Sequence, residues 1–139
     1  MFSNVRPFFR TRLDGLGFNE HRDSVLTPEN VGNTLLGRVY HLGGPTITKL
    51  PRSFTTDQFI YAIPVTMFTK RHKVEAEAID EADLIIDTVL SDLLAAERRT
   101  QEVIKNIELD SVQREPLDVN NDNAIRIIFN FNVTLIECF

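Results

Sequence analysis

The groups in this chain best suited to chemistry are three histidines and a scatter of carboxylates, and their spacing is what has to be weighed. His21-Arg22-Asp23 followed by Pro28-Glu29-Asn30 has the residue types of a kinase catalytic loop. The spacing is too long, no Gly-rich loop or DFG triplet accompanies it, and 139 residues are too few for a kinase. These residues read as a polar connector after the first helix. Asp118-x-Asn120-x-Asp122 opens like a calcium-binding loop, but Asn123 stands where the turn needs glycine and Phe129 where the bidentate glutamate belongs. That stretch reads as a hairpin-type loop. His21, His41 and His72 have no partner at metal-ligand spacing. There is no phosphate-cradling glycine loop, nucleophile elbow or CxxC pair. Asp80 and Glu81 are adjacent acids on an amphipathic stretch and read as solvated. Cys138, the single cysteine, reads as a small apolar residue and fits a reducing compartment. Asn132-Val133-Thr134 is a formal glycosylation sequon inside a strand pattern. The expectation is a protein that is not an enzyme and that uses no cofactor and no metal.

The elements around these residues follow from periodicity. Ile125, Ile127, Phe129, Phe131, Val133 and Leu135 alternate with Arg126, Asn130, Asn132 and Thr134, which predicts a long antiparallel strand with one buried and one partly polar face. It runs to the last residue with nothing after it to cover it, as in a building block for an assembly. Residues 58–69 predict a second strand with Phe59, Tyr61, Ile63, Val65 and Met67 on one face. The other face carries Ile60, Ala62 and Pro64, so cover on both sides is expected. Pro64 cannot donate to a ladder and marks a bulge or an edge. Residues 74–98 predict a long helix with the stripe Ile79, Ala82, Ile86, Val89, Leu93 and Ala96. Its early acids and closing Arg98 and Arg99 complement the helix dipole.

A first helix is expected over residues 3–16, with Ser3 as cap, Val5, Phe9 and Leu13 inward, and Gly15 and Gly17 as its end. Residues 37–42 predict a short strand, 43–55 a long loop, 103–113 a strand and 116–123 a polar loop. The whole reads as a single α+β domain over 1–139: an antiparallel or mixed β-sheet with a long helix packed on one face, an N-terminal helix, and the core sheet and helix in 57–137.

Composition is ordinary for a globular protein, with 42% hydrophobic and 25% charged residues. No signal-peptide pattern opens the chain, and no apolar run approaches the ~20 residues that span a bilayer. Synthesis in the cytosol is expected. Net charge is −5 but unevenly spread: residues 1–73 hold ten Lys/Arg and five Asp/Glu, residues 74–139 five and fifteen. This reads either as a solvated acidic helix or as two surfaces of opposite potential facing different neighbours.

In order and size, the N-terminal helix, the strand at 58–69, the helix at 74–98, the strand around 104–112 and the terminal strand at 125–137 resemble the tail-terminator (tail-completion) proteins of long-tailed bacteriophages. The related head-completion and neck proteins are similar in kind. The resemblance is architectural, covers roughly residues 57–137 and has no signature motif. It implies a closed ring, commonly a homo-hexamer, that caps the head-proximal end of the tail tube, ends tube polymerisation and joins tail to neck. The implied partners are further copies of the chain, the tail tube protein and a neck or head-completion protein. DNA would pass through the lumen unread, and the protein would reside in the virion after assembly in the host cytoplasm.

A cyclic ring needs two different complementary patches per subunit, which a basic and an acidic half can supply. A net negative wall also holds DNA loosely. From charge and loop exposure, Ile47, Lys49, Leu50 and Arg52 are expected to touch tube or neck. Glu77 and Glu81 are expected to meet Arg10 or Arg38 of a neighbouring subunit. Two other classes compete. One is a small enzyme or ligand-binding domain whose cleft gathers His41, Tyr40 or Tyr61 with a carboxylate. The other is a monomeric adaptor that binds through its last strand.

Overall fold

In the computed structural model, residues 2–22, 37–51, 56–95 and 104–138 are described. In chain order they form a 3-10 turn (Phe2–Asn4), α1 (Val5–Gly15), β1 (Asn19–Glu20), β2 (Val39–Leu42), β3 (Thr46–Lys49), β4 (Thr56–Phe68), α2 (Glu75–Leu93), β5 (Ile104–Val119) and β6 (Asp122–Cys138). Asp23, residues 28–30, Arg52, Ala96, Arg98 and Arg99 lie outside the described residues. The fold is α+β, with a mixed six-stranded sheet in the order β1-β2-β4-β6-β5 and β3 paired to β4. β1 runs parallel to β2, and every other pair is antiparallel.

The alternation in β6 does what its pattern predicts. Ile125, Ile127, Phe129, Phe131, Val133 and Leu135 are buried, and the register places them beside Tyr61, Ile63, Val65 and Met67 of β4 on one face. Both helices pack on that face. Val5, Phe9 and Leu13 of α1 and Ala78, Ala82, Ile85, Ile86, Val89 and Leu93 of α2 join the same hydrophobic cluster. The rings of Phe9 and Phe131 sit 5.5 Å apart. Arg12 reaches from α1 to Asp92 of α2 at 3.0 and 3.1 Å, fixing one helix against the other.

Several expectations are corrected. The α-helical part of the first element starts at Val5 after the 3-10 turn, and Asn4, not Ser3, holds the cap position, with no side-chain capping bond. The proposed loop at 43–55 contains β3, whose four residues pair with 59–62 of β4. β2 and β3 are successive pieces of one edge, interrupted where Pro64 faces them. The Gly43 N–H donates to the Pro64 carbonyl at 2.8 Å, so the missing N–H of Pro64 points into the interruption and the β4–β6 ladder stays whole. A Cβ on Gly43 would lie 2.6 Å from Pro64 Cγ, and Arg6 clasps the Leu42 and Gly43 carbonyls at 3.0 and 2.9 Å.

The polar loop at 116–123 is mostly strand. β5 continues through Pro116, tolerated because β5 is an edge, and only Asn120 and Asn121 turn. Their φ values of 51° and 67° are the left-handed pair of a tight hairpin, a conformation asparagine accepts better than most residues. In α2, Ala82, Ile86, Val89 and Leu93 are buried as the stripe predicts, but at its start Ala78 is buried and Ile79 faces out. Glu75 and Glu77 stand in the first turn of α2, where they complement the dipole, and Arg98 and Arg99 lie outside the described residues. β4 is sealed on one side along its length, and on the other only at its end: Phe68 is buried with Val39 there, while Ile60, Ala62, Pro64 and Thr66 are half-buried with no described element packed over them.

Candidate assembly interface

The four residues expected between subunits occupy different settings. Arg10 Nε binds both oxygens of Glu20 at 2.9 and 3.1 Å, and Arg22 joins the same carboxylate at 2.7 Å. The Glu20 side chain is 7% exposed, so Arg10 serves its own subunit by clamping α1 to β1. Glu81 accepts from Nε2 of His72 at 2.7 Å and from the Lys70 backbone N–H at 3.1 Å, and its side chain is 19% exposed. Glu77, 65% exposed, stands 3.6 Å from the other His72 nitrogen. His72 therefore ties α2 to the β4–α2 connection, whose backbone pairs with Asn123 at the hairpin end at 2.7 and 2.8 Å. Arg38 is exposed. It shares a shallow concavity of about 390 Å³ with Glu81, Lys70, Leu84 and Phe18. The structure thus brings Arg38 and Glu81 together within one subunit and keeps Arg10 away.

Of the residues expected to touch tube or neck, Ile47 and Lys49 lie in β3, Leu50 follows it, and Arg52 is outside the described residues. Ile47 is 44% exposed. The Lys49 ammonium lies 3.7 Å from Asp57, and Leu50 is half-buried with its N–H on the Gln58 carbonyl at 2.8 Å. Ile47 and Lys49 pair with Tyr61 and Phe59 and so project toward the helix side of the sheet.

The residues named for a rival cleft lie on different faces of the sheet. Tyr40 is fully buried and donates to Asp14 at 2.8 Å. Burial first, and the bond to the Asp14 carboxylate second, hold its hydroxyl well above the usual tyrosine pKa. His41, the next residue along the strand, faces the opposite side and contacts the His21 carbonyl at 3.0 Å through Nδ1. No cluster of three or more His, Cys, Asp or Glu among the described residues is arranged to hold a metal.

A concavity of about 530 Å³ was not anticipated from sequence. It lies between the start of α2 and the far end of the β5–β6 hairpin. Ala78, Ile79, Pro116, Leu117 and Ile125 form its apolar floor, and Glu75, Asp118 and Arg114 stand around it. Arg114 is paired to Asp83 at 2.6 Å, which leaves the rim acidic. Ile79 is 38% exposed at this site. The sequence disguised it, because Ile79 has the spacing of the buried stripe and its exposure follows only from how α2 sits on the sheet.

No family model matches the chain, and no curated protein matches it in sequence. Among solved structures, the fold is similar to that of a chain described as belonging to the virion of a native gene transfer agent (GTA) particle. Identity is 13% and the TM-score 0.53, with 90% of this chain and 82% of that chain covered. At this identity the likeness is one of fold. No helix among the described residues is long and apolar enough to cross a membrane.

Proposed function

We propose that this protein is a structural subunit of a virion that assembles into a ring, caps the head-proximal end of a phage tail tube and joins the tail to the neck. The observation that carries this reading is the fold shared over 90% of the chain with a component of a virion particle. The order of helix, strands, long helix and hairpin, which resembles tail terminators, narrows it to the tail end. The action is steric: the ring ends tube growth by occupying its last layer and offers the opposite surface to the neck. It needs no turnover, cofactor or metal. Partners are other copies of the chain, the tail tube protein and a neck protein, with DNA passing through a lumen that does not read it. Assembly takes place in the host cytoplasm.

The test is solution mass by light scattering at low and moderate salt, followed by electron microscopy of purified tail tubes mixed with the protein. A hexameric ring, or protein density at one tube end only, supports the reading. A monomer that leaves tube ends bare and tube growth unchanged overturns it. A ring that binds the head-side neck and ignores tubes would instead make it a head-completion ring, the alternative that the same fold likeness supports.

A further inference from the structure

We infer that the groove between α2 and the β5–β6 hairpin receives the β3 edge of a second copy of this chain, with Ile47 on its apolar floor and Lys49 facing Glu75 and Asp118. The inference rests on the ring reading and names the lateral contact of that ring. It moves Ile47 and Lys49 from the tube or neck contact expected from sequence to a contact between subunits.

Topology separates the two surfaces in the way a ring requires. β3 flanks β4 on one side of the sheet, and β5 forms the opposite edge. A contact between opposite edges is heterologous, so each copy keeps one unused knob and one unused groove until the ring closes. Both surfaces lie on the helix-bearing side. Ile47 and Lys49 are two apart on a strand and project together toward that side, where Ala78, Ile79 and Ile125 floor the groove.

Their chemistry is complementary. β3 exposes all four of its residues, with one large apolar side chain and one ammonium, which stands 3.7 Å from Asp57 of its own subunit and stays 55% exposed, open to a second carboxylate. The groove offers an apolar floor under an acidic rim. Arg114 is already paired with Asp83, and the Asp118 carboxylate accepts the Asn121 N–H at 3.0 Å while its other oxygen faces the groove's rim.

The β5 edge itself is built against strand addition. Its register shifts between Ile104 and Asn106 and between Leu109 and Ser111, Pro116 lacks an N–H, and Lys105, Glu108 and Asp110 line it. Side chains entering a groove beside that edge fit it better than a continuous sheet between subunits.

The experiment measures assembly of full-length protein by light scattering, and tube capping by microscopy for a ring that forms only on its template. Ile47→Asp, Lys49→Glu and Glu75→Lys are each made singly, and Lys49→Glu is combined with Glu75→Lys. Circular dichroism melts verify folding, since all three positions are exposed. Each single change is expected to weaken assembly at least about tenfold, as for central interface residues. The charge-swapped pair is expected to recover to within about threefold of the wild type, as coupled partners do. Ile47→Cys with Ile79→Cys, in a Cys138→Ser background, should yield a ladder of disulfide-linked oligomers on oxidation. If the wild type assembles while every variant assembles equally well and no ladder forms, the contact lies elsewhere and the ring reading survives. If the wild type forms no ring in solution or on tubes, the ring reading fails and takes this contact with it.

Discussion

The two faces of the sheet are made by the same strands from alternate residues, yet they carry different work. On the helix-covered face Phe129, Phe131, Val133 and Leu135 are sealed under α1 and α2. On the other, Ile128, Asn130, Asn132 and Thr134 are half-buried with no described element above them. Among the described residues the larger buried cluster lies on the first face, and the second holds a small one at Val39 and Phe68. β4 and β6 contribute no charge to the middle of the open one, where Ile60, Ala62, Pro64 and Thr66 meet Thr134, Asn132, Asn130 and Ile128 in register. Among the described residues that middle is thus both uncovered and uncharged.

The sharpest contrast sets Phe131→Ala on the sealed face against its neighbour Asn132 on the open one. Truncating Phe131 removes a fully buried ring that packs against Phe9 and Phe129, and should cost about 3–5 kcal/mol in urea denaturation. Equal losses from Asn132→Ala would show that the open face also holds the fold together. Next in size is Gly43→Ala at the interrupted edge. The added methyl would meet the Pro64 ring and should cost about 1–3 kcal/mol by overpacking, read as a fall in the denaturation midpoint.

Tyr40→Phe removes the buried bond to Asp14 and should cost about 1 kcal/mol near neutral pH. It also has a pH signature. The folded-state pKa of Tyr40 is raised above the ordinary 10.0, so the hydroxyl is neutral in both states below that pH and its stabilisation is fully present there. As pH rises past it, the unfolded chain ionises and the folded one does not. Stability then falls by up to about 1.4 kcal/mol per pH unit for this one group. The difference between wild type and Tyr40→Phe should thus be flat below pH 10 and shrink above it. The smallest effect is expected from Asn132→Ala, within about 0.5 kcal/mol in the same denaturation series.

What the residues disclosed in advance follows the same division. β6 was readable because one sealed face forces strict alternation, and α2 because its buried stripe recurs over five turns. β3 was hidden between Gly44-Pro45 and Pro51, since four residues become a strand only through pairing with β4, a contact that no local pattern encodes. Pro116 disguised the second half of β5 as a loop, because proline is permitted on an edge and edge position is not visible in a sequence. Choosing between Ala78 and Ile79 as the inward residue required the placement of α2 on the sheet. Among the candidate contact residues, Arg10 and Glu81 were judged on charge alone. Their partners Glu20 and His72 come from other elements, and the same is true of Arg12 and Asp92, eighty positions apart.

The strand order also bears on how the protein is made. β6 follows β4 and β5 in the chain but lies between them, the second-longest ladder joining it to a strand synthesised about seventy residues earlier. Until β6 leaves the ribosome, Ile63, Val65 and Met67 have no neighbour along that side of β4. The Asn120–Asn121 turn lets β6 zip onto β5 as soon as it emerges, and the finished hairpin then docks as one piece. Vectorial synthesis thus delivers β6 after both of the strands it joins, so the two sides of the sheet can be united only once it is made.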